Sequence, residues 1–280
     1  MTNVIGCIDG TDVSIAVCDY SAWASLRLDA PLKFLHVLDK SEYPVSQNFS
    51  GSLGLGEQKV LLEELAGLDE QRGKIAMKQG KHMLEIAEKR AIADGVECPV
   101  SLQRHGSLMD TLNDMEDSVR LVVLGKHDER LREHVGSDLE NVVRTMHRPI
   151  LITTAEFKTP ERIMLAFDGS KTNHKVVDMV AGSPLFRGLP CHVVMIGPSN
   201  KANEGQLEWA RHTLEAADFK VTTDLLSGEV EDNLCQYRAK NNIDMLIMGA
   251  YGHSVIRRFL VGSTTTSIVR KAAIPVLLLR

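Results

Sequence analysis

The residues best suited to bind a ligand lie in one stretch near the carboxyl terminus, where glycines and hydroxyl side chains follow an apolar run. The run stops at Gly249, Gly252 follows, and Gly262 precedes Ser263 and Thr264 at the start of a helical pattern. Glycine lets the main chain approach a ligand closely and adopt positive φ. The first amide groups of a helix have no internal partners and favour negative charge. This spacing predicts a phosphate site.

The alternative is a strand-to-helix turn that needs glycine only for close packing. Two glycines three residues apart, a third ten residues later and the adjacent hydroxyls favour the phosphate site over that alternative. Arg257 and Arg258 lie between the glycines and could screen phosphate charge. Such a pair is more often a solvated face, so both stay outside the predicted site.

A second candidate group is Asp168, which follows another apolar run and precedes Gly169 and Ser170. One interpretation is a capping aspartate at the start of the next helix. The other is a carboxylate that accepts hydrogen bonds from an adenine or ribose group. The sequence leaves both open.

The composition is that of a globular chain of 280 residues, with 44% hydrophobic and 25% charged residues and a formal charge of −5. The acidic balance argues against a nucleic-acid or membrane-surface binder, which needs a basic footprint. No apolar run approaches the roughly 20 residues of a membrane span. The amino terminus lacks signal-peptide features, and the five cysteines never occur in C-x-x-C spacing. We therefore expect free thiols in a reducing cytoplasm.

The chain contains an internal repeat, because the same landmarks occur in the same order in both halves. The matching pairs are Asp9 with Asp168, Pro31 with Pro190, Gly125 with Gly249, Gly136 with Gly262, and Pro149 with Pro275. Repeated landmarks of this kind indicate tandem structural units. We predict two domains, 1–154 and 159–280.

Apolar runs alternate with helical patterns in each half. In the second half we predict strands at 162–167, 190–197, 220–226, 244–248 and 275–279, and helices at 172–183, 204–217, 230–241 and 263–272. Strands without polar alternation are typical of a parallel sheet buried on both faces. The predicted fold class is therefore α/β, with two Rossmann-like doubly wound domains. Ligands of such sheets bind beyond the carboxyl ends of strands, so Asp168 and Gly249 can face one crevice.

The first half differs by an insertion. A glycine-rich segment, 41–56, precedes a long polar–apolar stretch that runs from Glu57 to Ala93. The segment 41–56 suggests a mobile surface loop, or alternatively a lid or a partner-docking loop. The second half crosses the same gap with residues 198–203 and a shorter helix.

The glycine pattern of the first half is damaged. Asp128 stands where the second half has Gly252, the spacing is two residues shorter, and Asp138 follows Ser137. A carboxylate close to a phosphate costs on the order of 1 kcal/mol or more even with strong screening. We expect the first half to bind triphosphate weakly or not at all, and to have a structural or regulatory role.

Motifs for catalysis are missing from the sequence. It contains no G-x-x-x-x-G-K-[ST], H-E-x-x-H or G-x-S-x-G motif and no paired cysteine ligands. We therefore predict no catalytic residue and no protein metal ligand. Two alternatives to a binding protein stay open: a slow ATPase or nucleotidyl-transferring enzyme, and a nucleotide-free scaffold or ligand carrier.

Taken together, these motifs resemble the universal stress protein family over essentially the whole chain, as two tandem family domains. The resemblance is carried by I-D-G-T-D-V-S and F-D-G-S-K-T-N after the first strands, by F-L-H-V-L, and by M-G-A-Y-G-H with nine residues between Gly252 and Gly262. It implies a five-stranded parallel sheet of order 3-2-1-4-5 in each domain, with helices on both faces. It also implies a stress-response sensor that acts through an unknown protein partner.

The resemblance further implies ATP binding in the second domain, with AMP or ADP as alternatives and Mg²⁺ expected beside a triphosphate. It places adenine at Ala166, Asp168 and Ile196, and phosphates at Gly249, Gly252, His253, Gly262, Ser263 and Thr264; Met248, which precedes Gly249, is included in the site. Family domains pair about a two-fold axis through their last strands, here 149–153 and 275–279. The chain would then be an intramolecular pseudo-dimer, and a homodimer of the whole chain is compatible with the sequence.

Overall fold

The computed structural model describes residues 2–38, 55–126, 135–249, 268 and 272–280. The strands in these ranges are β1 (Asn3–Cys7), β2 (Leu32–Leu38), β3 (Val100–His105), β4 (Val119–Gly125), β5 (Ile150–Thr153), β6 (Ile163–Phe167), β7 (Cys191–Ile196), β8 (Val221–Leu226), β9 (Met245–Gly249) and β10 (Val276–Leu279). The helices are α1 (Val13–Leu28), α2 (Leu55–Ala93), α3 (Leu108–Met115), α4 (Val135–Thr145), α5 (Lys171–Gly182), α6 (Lys201–Glu215) and α7 (Val230–Asn241).

All ten strands form one continuous sheet in the order β3-β2-β1-β4-β5-β10-β9-β6-β7-β8. Within each half, every neighbouring pair is parallel; the two halves meet through an antiparallel pair, β5 with β10. The predicted α/β class is confirmed. When the strands of each half are counted along the chain, the order in that half is 3-2-1-4-5.

The junction between the halves is symmetric. Leu151 pairs with Leu277, and this pair is flanked by Leu278 opposite Ile150 and Val276 opposite Ile152. Exchange of the two halves therefore maps the register onto itself, and a pseudo-two-fold axis passes between Leu151 and Leu277. The pairing also covers two apolar edge strands that would otherwise be exposed.

Helices cover both faces of the sheet, and each face has its own apolar core. The core on one face includes Val17 of α1, Leu84 of α2, Val176 of α5 and Leu207 of α6. The core on the other face is built with α3, α4 and α7 and contains Leu234. Strand side chains alternate between these two cores, which explains why the strands are apolar at consecutive positions.

Some predicted element boundaries are wrong, and capping residues explain two of them. The helix predicted at 204–217 is α6, which begins at Lys201 because the side chain of Asn200 accepts a hydrogen bond from the amide of Asn203 (2.9 Å). The helix predicted at 172–183 begins one residue earlier, after the N-cap Ser170. Leu55 and the residue after it belong to α2, whereas 41–54 lies outside the described residues.

Side chains also connect the halves away from the sheet. Arg27 of α1 donates from Nε to the carbonyl of Leu185 (3.1 Å). Arg280 donates to the carbonyl of Val143 (2.9 Å) at the end of α4, and Lys126 donates from Nζ to the carbonyl of Ala272 (3.0 Å). A cation at a helix carboxyl end satisfies carbonyls that have no partner within the helix. Side chains of each half therefore donate hydrogen bonds to main-chain carbonyls of the other half.

The segment between the halves is fixed by a buried carboxylate. Asp244 precedes β9, pairs with Lys158, and accepts hydrogen bonds from the amides of Glu161 (3.1 Å) and Arg162 (3.0 Å). Tyr20 of α1 accepts from the amide of Lys158 (3.3 Å). The linker is thus bonded to the first half through Tyr20 and to the second through Asp244. Within the described ranges, none of the helices is both long and apolar enough to span a bilayer.

Candidate functional site

The candidate site lies at the point where strand order reverses in the second half. The chain proceeds from β6 to β7 on one side and returns to place β9 on the other, with both strands parallel to β6. The loops that leave β6 and β9 therefore diverge to opposite faces and open a crevice at the carboxyl ends of the strands. Asp168 follows β6 directly and Gly249 ends β9, so the structure brings the two predicted residues to this one edge.

Asp168 organises the turn that leads into α5. One carboxylate oxygen accepts a hydrogen bond from the amide of Ser170 (2.9 Å) and another from the side-chain Nδ2 of Asn173. Gly169, between them, adopts a φ of +71°, which favours glycine. The N-cap residue of α5 is Ser170, whose Oγ accepts a hydrogen bond from the main-chain amide of Asn173 (3.2 Å). The interpretation of Asp168 as the capping residue is therefore wrong. The carboxylate of Asp168 instead holds the turn, through the main-chain amide of Ser170, and orients the side-chain amide of Asn173.

Asn173 is a site residue that the sequence analysis missed. Its side chain is buried (3% exposed), and no atom in the described part of the chain donates a hydrogen bond to its Oδ1. A Cβ placed on Gly249 would lie 3.2 Å from that oxygen, so the amide oxygen borders the end of β9. Buried acceptors without a donor are uncommon and costly, on the order of 1–3 kcal/mol. A buried acceptor without a donor in the described part of the chain therefore lies beside the end of β9.

The apolar side chains of the predicted site lie on one face of three neighbouring strands. Ala166 of β6 pairs in register with Met248 of β9, and Ile196 ends β7. All three contribute to the same apolar core. Ala166 and Met248 are buried and Ile196 is half-buried. Of the three, Ile196 offers the most surface to a ligand.

Several predicted residues cannot be placed. Gly252, His253, Gly262, Ser263 and Thr264 lie outside the described residues. Their assignment to phosphate therefore stays a prediction.

The same limit applies to the damaged pattern of the first half. Asp128 lies outside the described residues, whereas Gly136, Ser137 and Asp138 fall in the first turns of α4.

The equivalent turn in the first half is built differently. Asp9 accepts hydrogen bonds at one carboxylate oxygen from the amide (3.0 Å) and hydroxyl (2.7 Å) of Thr11 and from the hydroxyl of Ser14 (2.9 Å). Gly10 has a φ of +80°, and a Cβ there would meet the sulfur of Met83 at 2.2 Å. The long helix α2 therefore packs directly on this turn. A side chain of a later helix lies near the glycine in both halves, Met83 beside Gly10 and Gln206 beside Gly169, but Gly10 is exposed whereas Gly169 is half-buried.

The glycine that ends β4 also has apolar neighbours. A Cβ on Gly125 would lie 2.8 Å from a methyl carbon of Val13 and 3.3 Å from one of Val17. The position of the amide oxygen in the second half is thus taken by valine methyl groups in the first.

The described residues do not assemble a metal centre. They contain no group of three or more histidine, cysteine, aspartate or glutamate residues that could hold a metal ion. Burial raises the pKa of the Cys191 thiol to about 12, and burial followed by the charge of Asp19 does the same for Cys18. A thiol with such a pKa stays protonated near neutral pH and is a poor nucleophile. The chemistry of the described crevice is that of hydrogen bonding.

Comparisons with known proteins agree with the two-lobed α/β architecture. The model of the universal stress protein family matches the chain twice, at residues 1–154 and 160–280. Universal stress protein Slr1230 of Synechocystis is 35% identical over 287 residues, which cover 100% of both chains. The chain therefore belongs to the universal stress protein family, as a tandem pair of family domains.

Solved structures share the fold. A universal stress protein from Archaeoglobus fulgidus matches 99% of this chain and 96% of its own, with a TM-score of 0.70 at 14% identity. A protein of unknown function from Pseudomonas aeruginosa, PA1789, covers 100% of this chain and 92% of its own, with a TM-score of 0.58 at 14% identity. At this identity the likeness concerns the fold alone.

Proposed function

We propose that this tandem universal stress protein binds an adenine nucleotide, ATP, in its second domain (159–280) and not in its first (1–154). Nucleotide occupancy changes the shape that the protein offers to a protein partner in the cytoplasm. The observation that carries the proposal is the polar pair Asp168 and Asn173 beside Gly249. This pair lies at the carboxyl ends of β6 and β9, where the glycine–hydroxyl sequence begins.

The residues present suit an adenosine group. The ribose hydroxyls and the adenine amino group are hydrogen-bond donors. The crevice holds a carboxylate at Asp168, and beside it lies the amide oxygen of Asn173, to which no atom of the described residues donates. Ile196, half-buried at the end of β7, would contact the apolar face of the base. We assign the adenine end of the nucleotide to Ala166, Asp168, Ile196 and Met248.

The phosphates would be held by main-chain amides and hydroxyls that follow β9. The residues assigned to them are Gly249, Gly252, His253, Gly262, Ser263 and Thr264. Amide groups and hydroxyls supply hydrogen-bond donors without a charged side chain, and Mg²⁺ would neutralise part of the phosphate charge.

Isothermal titration of ATP tests which domain binds. We expect one site per chain, an affinity reduced at least about fivefold in Gly252→Asp, and no change in Asp128→Asn, because a carboxylate near phosphate costs about 1 kcal/mol or more. Equal affinities for the wild type and Gly252→Asp would refute the assignment. A binding stoichiometry of two, or loss of binding in Asp128→Asn, would refute the difference between the domains.

Measurement of turnover in the same samples separates a sensor from an enzyme. We expect ATP to be bound and released intact. Hydrolysis that disappears in His253→Ala or Ser263→Ala would instead support a slow ATPase.

The regulatory part of the proposal needs a differential effect of ATP on two states of the protein. Hydrogen exchange of the full chain, with and without ATP, measures it directly. We expect protection to extend beyond the crevice to α5 and α7. Protection confined to the residues that contact ATP would mean that the protein binds ATP without a change of conformation, and it would refute the regulatory part of the proposal.

A further inference from the structure

Helix α2 of the first half consists of a packed part and a projecting part. Its 39 residues span about 58 Å. From Ala76 onward, the buried positions 76, 80, 84, 87 and 91 recur every three or four residues and pack on the sheet and α1. Between Gly67 and Ile75, every side chain that the structure describes is exposed. The helix thus extends well past the part of the domain that it packs against.

Several apolar side chains along α2 are more than half exposed, two of them in the projecting part. Leu68 is 52% exposed, Ile75 is 56% exposed and Ile86 is 54% exposed, whereas Leu65 is half-buried. Their spacing of three, seven and eleven residues follows the a and d positions of a heptad repeat. At about 100° per residue they form one stripe, roughly 120° around the helix from the buried face. We call these four residues the α2 stripe.

The charges along α2 are divided between its two ends. Residues 57–70 contain five acidic residues and one lysine, whereas 71–83 contain four basic residues and no acidic residue. Within the helix, Lys74 and Glu70 form an exposed ion pair (2.6 Å) across this division. An identical helix laid parallel would place like charges together. The same helix laid antiparallel places the mainly acidic segment 57–70 opposite the basic segment 71–83.

We propose that the α2 stripe is a self-association surface, on which α2 of a second copy of this chain packs antiparallel. A two-fold axis at Glu70 places Leu65 of one copy opposite Ile75 of the other, and Leu68 opposite Arg72; Ile86 lies beyond this overlap, because α2 begins at Leu55. The surface is self-complementary, as a two-fold dimer requires. We choose a second copy of this chain as the partner because, in an antiparallel pair of α2 helices, the acidic segment of each helix faces the basic segment of the other.

The contact forms a weak dimer. Arg72 and Gln79 occupy heptad positions between the apolar residues of the α2 stripe, which limits the apolar area that is buried. This dimer uses the projecting part of α2, which the shorter counterpart in the second half, α6, does not have, whereas the seam between β5 and β10 joins the two halves within one chain. Self-association and the internal pseudo-dimer therefore involve separate surfaces.

Sedimentation velocity on the full chain, from about 1 to about 200 µM, tests the proposal. We expect a concentration-dependent dimer that weakens at high salt, because exposed charge pairs are screened. The double variant Leu68→Glu/Ile75→Glu should weaken dimerisation at least about tenfold. The matched control Ile15→Glu, on α1 and 55% exposed, should dimerise like the wild type. A monomer at every concentration, or a dimer unaffected by the double variant, would overturn the proposal.

A charge-reversal experiment keeps the proposal testable even if the double variant alters folding. One variant reverses acidic residues (Glu63→Lys/Glu64→Lys), and the other reverses basic ones (Lys78→Glu/Lys81→Glu). Each variant alone should dimerise more weakly than the wild type, and an equal mixture should recover dimer as a heterodimer. Failure of the mixture to recover dimer would show that the charge division of α2 plays no part in self-association.

Discussion

The two halves share a fold but line the crevice beside their first strands with different atoms. At the end of β4, Gly125 packs against methyl groups of Val13 and Val17, whereas at the end of β9, Gly249 faces the amide oxygen of Asn173. The turn that precedes each first helix is held by an aspartate in both halves, Asp9 and Asp168. The turn geometry therefore needs no ligand. The polarity of the residue behind the glycine distinguishes the halves.

The seam shows the opposite behaviour, because the halves are equivalent there. Leu151 and Leu277 face each other across the pseudo-two-fold axis, and both side chains are fully buried. The fold requires symmetry where the halves join, and it leaves the strand ends free to diverge. Ligand binding in one half only is thus compatible with a symmetric scaffold.

The largest expected effect tests the symmetry of the seam. Leu151→Ala and Leu277→Ala should each lower the free energy of unfolding by about 2–5 kcal/mol, because each removes a fully buried side chain. The two losses should agree, since the axis relates the two sites. Urea unfolding of both variants measures the losses. A difference of more than about 1.5 kcal/mol would mean that the halves contribute unequally to the seam.

A smaller effect should separate the two glycines that end β4 and β9. Gly125→Ala places a methyl 2.8 Å from a carbon of Val13, whose branched side chain has little freedom, and should cost about 1–3 kcal/mol. In Gly249→Ala the nearest atom lies 3.2 Å away, so the cost in stability should stay below about 1 kcal/mol. Chemical unfolding of the pair measures both costs. Equal losses of stability in Gly125→Ala and Gly249→Ala would contradict the contrast between the apolar neighbours of Gly125 and the amide oxygen beside Gly249.

Much of the fold could be predicted from the sequence because its signals are local. Buried parallel strands read as unbroken apolar runs, and the strand predicted at 244–248 lies within one residue of β9 (Met245–Gly249). The start of α6 was misplaced by three residues because the capping role of Asn200 was not recognised. Asp168 and Gly249 could be placed at one edge because strand ends meet at the switch point.

The features that the sequence analysis missed depend on contacts between distant residues. Asn173 is the last residue of the F-D-G-S-K-T-N motif, but its role depends on Asp168 and on Gly249, which lies 76 residues further along the chain. The same holds for Lys126, which reaches Ala272 in the other half. One signal could have identified Asn173: it lies five residues after Asp168, as Ser14 lies five residues after Asp9.

That correspondence leads to a prediction about affinity. Asn173→Ser gives the second half the residue that the first half has, and keeps a hydroxyl that can donate to Asp168 as Ser14 donates to Asp9. The variant loses the buried amide oxygen, so its affinity for ATP should fall about three- to tenfold, which corresponds to about one hydrogen bond. Ser14→Ala is the matched control and should bind ATP like the wild type. An unchanged affinity in Asn173→Ser would show that the amide oxygen does not contact the nucleotide.

The smallest expected effect is a pH dependence confined to the second half. Burial, with the charge of Arg162 as a second cause, lowers the pKa of His192, while Asp224 opposes the shift. The imidazole of His192 therefore binds a proton at higher pH in the unfolded chain than in the folded chain. As the pH falls below about 6.5, protonation of the unfolded chain lowers the free energy of unfolding. His192 lies two residues after Pro190, and the equivalent residue after Pro31 is Lys33.

Unfolding free energies of the wild type and His192→Gln between pH 8 and pH 5 check the direction. The difference, wild type minus variant, should decrease as the pH is lowered through the value of an unperturbed histidine. The same difference for Lys33→Gln should stay level. Glutamine retains a polar group opposite the hydroxyl of Tyr237, which lies 2.9 Å from Nδ1 of His192, so the comparison isolates the proton. A difference that increases on acidification would mean that the charged imidazole is stabilised in the folded protein, and the asymmetry between the halves would then have the opposite sign.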